Sequence, residues 1–270
     1  EWPLSFAQER LWFLDQLQPQ HWFYNCPAAV RLSGELQVGA LQRTLTEIVR
    51  RHEVLRTRFV SAGGAAVQQV LAAAAVQLPL VDLQGLGAAE QEREVLRLAR
   101  AEAERPFVLS AGGLLRVQLL RLSDGEHVVL LTMHHIVSDG WSVGILVREV
   151  GALYEAYRRG EVAATGLAEL PLQYGDYAQW QREWLSGTVL EEQLSYWKRQ
   201  LGGGLPVLEL PADRARPAVQ SHRGAVVSFR LSAELSAGLK ELSRREGVTL
   251  FMTLLAAFQV LLYRYTGEED

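Results

Sequence analysis

Seven consecutive residues, His134-His135-Ile136-Val137-Ser138-Asp139-Gly140, combine two imidazoles, a carboxylate and a flexible turn. They stand where the apolar run Val128-Val129-Leu130-Leu131-Thr132-Met133 gives way to a helical pattern starting near Trp141. Imidazole titrates at a pH of about 6.5, so a histidine at the mouth of a sheet is suited to take a proton from a nucleophile. Successive strand residues face opposite ways, so one histidine works in a cavity while the other packs or bonds internally. The residues alone leave open which is which. A metal site fits poorly, because no third histidine or carboxylate stands at ligand spacing.

A second motif overlaps the first. Gly140-Trp141-Ser142-Val143-Gly144 has the G-x-S-x-G form of a nucleophile elbow, and Asp176 or Asp213 followed by His222 supplies the order of a hydrolase triad. An elbow should follow its strand directly, whereas here a polar turn intervenes and Ser142 falls in the first helical turn. Arg56 is a further candidate, as a guanidinium able to hold the Asp139 turn through a paired carboxylate contact. The aromatic set Tyr174, Tyr177, Trp180 and Trp184 reads as a packing stripe, and Cys26 and Met252 read as core.

The elements around these residues follow from periodicity. Ser5 and Gln8 have capping-box spacing, which predicts a helix over 6–17. Leu41, Leu45, Ile48, Val49 and His52 share a helical face, and from Leu55 to Phe59 the pattern turns to period two. The stretch 63–87 is rich in Ala, Gly and Val and gives no clear pattern; 88–104 reads as a solvated helix. Leu115, Val117 and Leu119 alternate, Ser123-Asp124-Gly125 makes a turn, and the strand ending in the histidines completes a hairpin. A long helix follows, marked by Ile145, Leu146, Val150, Leu153 and Tyr157. Beyond a linker-like stretch at 160–171 come two aromatic-bearing helices, a strand over Ala225–Leu231, and helices near 233–246 and 249–264. Mixed helices and hairpins predict a layered α/β fold.

Composition narrows the class. Of 270 residues 49% are hydrophobic and 21% charged, as in ordinary globular proteins. A net charge of −4 argues against a nucleic-acid surface. The lone Cys26 excludes an internal disulfide and fits a reducing, cytoplasmic setting. Val248–Tyr263 is shorter than the ~20 residues that span a bilayer and is expected to be a buried helix, with no membrane partner. The chain opens on Glu1 rather than methionine and stops just after a strong helix, and it is expected to be a piece of something longer.

Taken in order, these motifs resemble the condensation domain of nonribosomal peptide synthetases. Pro3–Trp12 resembles the family's opening motif, Arg51–Phe59 (RHEVLRTRF) the second, Met133–Ser142 the third and Tyr174–Trp180 the fourth. Tyr24-Asn25, Arg31–Gly34 and Leu210–Arg214 match between them, so essentially the whole chain is covered.

The resemblance implies a chloramphenicol acetyltransferase-like fold, with 1–165 forming an N-terminal lobe and 166–270 the connecting helices and start of a second. It implies amide formation, in which an acceptor amine attacks a donor thioester. Both substrates ride on 4'-phosphopantetheine arms of donor and acceptor carrier domains, with a neighbouring adenylation domain and no cofactor in the domain itself. In that reading His135 is the base or orienting group and His134 is structural. Asp139 pairs with Arg56, and Gly140 leaves room for a pantetheine arm. RHEVLRTRF with Trp141-Ser142 resembles the class that takes an L-configured donor. A degenerate recruitment module is the alternative, but such modules lose the motif histidines kept here. Val108 and Gly113 depart from the family's usual Asp and Pro and are expected to loosen the approach to the hairpin. The family's domain continues past Asp270, so the isolated chain is expected to be catalytically impaired.

Overall fold

A computed structural model describes residues 1–161, 166–218 and 224–269. The chain forms two compact units, Glu1–Leu190 and Glu191–Asp270. The expected lobe boundary at 165/166 lies at the edge of the undescribed residues. The first compact unit runs past it to include the helix α5 (Tyr174–Trp184), which packs on the opening strand β1 (Trp2–Pro3).

The first unit begins with α1 (Phe6–Leu17), started by the Ser5–Gln8 capping box: the Ser5 hydroxyl accepts from Gln8 N–H, and Gln8 Oε1 accepts from Ser5 N–H. Next come β2 (Asn25–Ser33), α2 (Val38–Arg51), a 3-10 turn (Glu53–Arg56) and β3 (Thr57–Ala62). The Ala/Gly-rich stretch that gave no pattern contains β4 (Ala65–Val70) and β5 (Leu80–Asp82). The solvated helix is α3 (Ala88–Ala103), in which Val95 alone is buried. The hairpin is β6 (Leu115–Ser123) and β7 (Glu126–His134), and the long helix is α4 (Gly140–Arg159). The period-two segment begins later than its pattern suggests. Leu55 and Arg56 belong to the 3-10 turn, although Leu55, Thr57 and Phe59 are buried as the alternation requires.

The strands make a small sheet, β1-β4-β3, and a four-stranded sheet, β2-β7-β6-β5, in which only β5 and β6 run parallel. The larger sheet is covered on both faces. Leu120, Leu122, Val128 and Leu130 face Val95 of α3, while Val117, Val129 and Leu131 face Leu41 and Leu45 of α2. Burial on both sides explains why β7 reads as an unbroken apolar run rather than an alternating one. The main core joins α1, α2 and α4 to the end of β7, through Leu11, Ile48, Met133, Ile136 and Leu153.

The second unit holds most of α6 (Gly187–Leu201), then α7 (Ala233–Arg245) and α8 (Leu250–Thr266). Two expectations fail in it. Ala225–Leu231 forms no strand: no strand among the described residues lies beside it, and Val226 is 92% exposed. The apolar helix α8 has no buried residue, and Met252, read as core, is 50% exposed. Among the described helices of this unit α8 packs on α7, where the hydroxyls of Ser243 and Thr253 meet at 2.7 Å. Cys26 is half-buried rather than core. No single helix among the described residues is long and apolar enough to cross a membrane; α7 and α8 pass that test only as a pair bent by 105°.

Leu120→Ala should cost about 2–5 kcal/mol in denaturant unfolding, because it opens a cavity between sheet and α3. Leu96→Ala, on the exposed side of α3, should stay within about 0.5 kcal/mol.

Candidate active site

The four-stranded sheet ends in the register of β2 against β7, where Asn25 stands opposite His134. His134 is the last residue of β7 and is 3% exposed; His135 opens the turn and is exposed. The chain therefore separates the imidazoles at a strand end and not along a strand. His135 N–H donates to the Tyr24 carbonyl at 2.7 Å, and His134 N–H to the Leu114 carbonyl at 3.1 Å. The turn closes on His134. Its carbonyl accepts from Val137 N–H and the Ser138 hydroxyl, and its Nδ1 accepts from Ile136 N–H at 3.1 Å. Ile136 and Val137 point into the core, so apolar burial pins the turn from beneath.

Burial pushes the His134 imidazole down to about 4, with a smaller contribution from His135. A ring that accepts from a main-chain N–H in an apolar surround stays neutral in the working range and is unavailable for proton transfer. His135 has no such enclosure.

Asp139 caps α4. Its carboxylate accepts from Ser142 N–H at 2.8 Å, and its own N–H donates to the Ser142 hydroxyl at 2.7 Å. The Ser142 bonds hold this carboxyl below its usual range, aided by Trp141 N–H and by the neighbouring His135. Asp139 is thus a fixed negative charge at the positive end of a 20-residue helix, beside His135.

The expected Asp139–Arg56 pair is absent. Arg56 closes the 3-10 turn, and from there its Nη2 reaches Glu53 at 3.0 Å and its Nη1 reaches the Leu71 carbonyl. Its Nε is buried without an acceptor among the described residues. The second motif still ties itself to α4, through other residues. Arg51 Nε donates to Glu149 Oε2 at 3.2 Å, and His52 Nε2 lies 2.6 Å from the same oxygen. Arg51 and Glu149 are both buried, and removal of one partner of such a pair typically costs 3–5 kcal/mol. The sequence carried a signal for it: Glu149 interrupts the apolar stripe of Ile145, Leu146, Val150 and Leu153.

The remaining motifs meet as well. The Ser5 hydroxyl lies 3.1 Å from the Tyr174 hydroxyl, and Arg182 Nε donates to the Leu4 carbonyl at 2.7 Å. Gly175 is required by this contact, since a Cβ there would lie 2.8 Å from the Trp2 ring. At Gly140 a Cβ would meet nothing within 4 Å, so no packing inside the chain demands glycine. Gly113 has φ +66°, which proline at about −65° cannot adopt, so the chain takes a different path here from one with proline.

The elbow reading loses its parts. Ser142 Oγ is committed to the Asp139 carbonyl and carboxylate, both at 2.9 Å, and Asp176 accepts from Gln173 N–H at the start of α5. His222 lies outside the described residues. Among the described residues no group of three or more His, Cys, Asp or Glu side chains could hold a metal ion.

Comparison with known proteins identifies a condensation domain over residues 1–270. A linear gramicidin synthase polypeptide of Brevibacillus parabrevis is 55% identical over 268 residues, which is 99% of this chain and 5% of that protein. The X-domain from teicoplanin biosynthesis matches with a TM-score of 0.81 at 32% identity, over 97% of this chain and 57% of that structure. The first condensation domain of the calcium-dependent antibiotic synthetase, at 23% identity and a TM-score of 0.80, shares the fold over 100% of this chain and 62% of its own. The chain thus spans a small fraction of its curated relatives and about three-fifths of these solved domains.

His134 has a folded pKa below its unfolded value, so the unfolded chain takes up a proton first as pH falls. The stability from keeping this ring neutral is full above about 6.5 and is lost progressively towards about 4. His127, also lowered by burial, acts in the same direction. Melting temperature should fall steeply across this range, and His134→Gln should flatten the fall without abolishing it. A fluorophosphonate probe should leave Ser142 unlabelled; its stoichiometric labelling would restore the hydrolase reading.

Proposed function

The chain belongs to the condensation-domain family, and we propose that it forms peptide bonds between two carrier-bound substrates in nonribosomal peptide synthesis. The amine nitrogen of an acceptor aminoacyl thioester attacks the carbonyl carbon of a donor acyl thioester. The C–N bond forms, the C–S bond breaks, and the donor arm leaves as thiol with the proton the amine gives up. The observation that supports this reading is the separation of the two imidazoles. His135 is exposed and held by its own N–H, while His134 is buried, neutral and occupied.

In this scheme His135 accepts the amine proton or orients the amine, and alignment of the two reactants supplies much of the rate. Asp139 does not touch substrate. Its side chain is held by Ser142, and its cap fixes where α4 begins beside His135. Gly140, open to solvent at that cap, leaves passage for a 4'-phosphopantetheine arm. Donor and acceptor carrier domains bring the arms, and an adenylation domain of the same assembly line loads them. The domain holds no cofactor of its own, and the reaction takes place in the cytoplasm. RHEVLRTRF supports an L-configured donor. Residues 1–165 are the first of two acetyltransferase-like lobes, and 166–270 begin the second.

The recruitment-module alternative draws on one solved relative, the X-domain from teicoplanin biosynthesis, which is also solved in complex with OxyB at 34% identity and a TM-score of 0.78. It is less well supported, because the exposed His135 and capped Asp139 serve no purpose in recruitment. The test belongs in the whole synthetase polypeptide carrying this domain. His135→Ala should lower peptide-bond formation between loaded carriers by about 10²–10⁴-fold, with carrier binding unchanged. Full activity of that variant would remove the catalytic role of the imidazole.

A further inference from the structure

The segment between α3 and β6 contributes no titrating group to the site, yet its backbone is gripped from two sides. Arg116, on β6, donates from Nη1 to the Pro106 carbonyl at 3.1 Å and from Nη2 to those of Arg105 (2.7 Å) and Glu102 (3.2 Å). Its Nε meets the Glu102 carboxylate. Asn25, on β2, donates through Nδ2 to the carbonyls of Ala103 and Arg105, both at 2.8 Å. Apart from the Glu102 carboxylate, every acceptor is a main-chain oxygen, so the joint effect is to fix a backbone path.

That path presents one side chain to the histidine pair. Phe107 is buried, with the Arg116 guanidinium 3.7 Å from its ring centroid. Its ring meets His134 edge-on, with centroids 6.0 Å apart and planes at 89°. Asn25 closes the arrangement from the other strand. It stands opposite His134 in register, and it follows Tyr24, whose carbonyl holds His135 N–H. Each histidine is therefore one contact away from a group that this segment fixes.

We propose that Arg116 is a positioning residue for His135, acting through Phe107 and His134, with Asn25 as its counterpart on β2. The proposal rests on the reading of His135 as the working imidazole. Arginine suits the task because one planar fork reaches three carbonyls while its face stacks on the ring, which an ammonium group cannot do. A displacement of about 1 Å at a reacting group costs on the order of 10²-fold in rate, so a loosened Phe107 reaches the chemistry without touching substrate.

The test uses the whole synthetase polypeptide with Arg116→Ala, Arg116→Lys and Phe107→Leu, each checked for folding by its melting curve. Two quantities are read: carbethoxylation of His135 by diethyl pyrocarbonate, scaled to exposed His21 by peptide mass spectrometry, and turnover at saturating loaded carriers. Arg116→Ala and Phe107→Leu should each shift His135 labelling about threefold and lower turnover about tenfold, with KM for the carriers unchanged. Arg116→Lys should stay closer to Arg116→Ala than to the parent. Should Arg116→Ala fail to fold, Phe107→Leu decides alone, since it keeps an apolar side chain and removes only the ring. Parental labelling or parental turnover in the folded variants overturns the positioning. Labelling needs no reaction, so it decides the matter even for a parent that forms no peptide bond, an outcome that would separately sink the proposed function.

Discussion

The hydrogen bond from His135 N–H to the Tyr24 carbonyl closes the open end of the four-stranded sheet and decides which way each histidine faces. β7 is buried on both faces along its length, so any residue that continues it is enclosed. The strand stops at His134, and the next residue turns outward while its N–H stays bonded to Tyr24, just ahead of β2. A polar ring is left inside, bonded to Ile136 N–H, and a second ring is left outside. One strand end thus produces two imidazoles of opposite character.

Beyond the turn, the chain is fixed at two places. At its start α4 is capped by Asp139, whose charge is held by Ser142 and lies beside His135. Further along, Glu149 joins Arg51 and His52 of the second motif in a buried cluster. Buried ion pairs of this kind add little net stability, but they are costly to break and fix one register of α4 on α2. The helix that carries the cap therefore has little freedom to slide, and the turn above it inherits that rigidity.

Much of this was legible in the residues, for identifiable reasons. The Ser5–Gln8 box, the β6–β7 hairpin and the long helix after Gly140 rest on local rules of capping, alternation and period, and each formed where those rules put it. Arg56 misled because alternation gives a face but not a partner. A 3-10 turn that ends at Arg56 sends its guanidinium back to Glu53 and Leu71. The tie to α4 runs through Arg51 and Glu149, a long-range pair that no local pattern announces, although a carboxylate on an apolar stripe was a visible anomaly. Ala225–Leu231 and α8 failed for a related reason. Strand propensity and apolar content state what a segment would bury, and the described residues of the second unit supply no partner strand for the one and, as a helix partner, α7 for the other.

The separate roles of His134, His135 and Asp139 carry the proposed chemistry, and a structure of the whole domain with a non-hydrolysable donor thioester and an acceptor amine analogue tests them directly. His135 should lie within hydrogen-bond reach of the amine, with His134 still bonded to Ile136 N–H and Asp139 still capping α4. An amine held by His134, or Asp139 turned from Ser142 to the substrate, would contradict that division of roles.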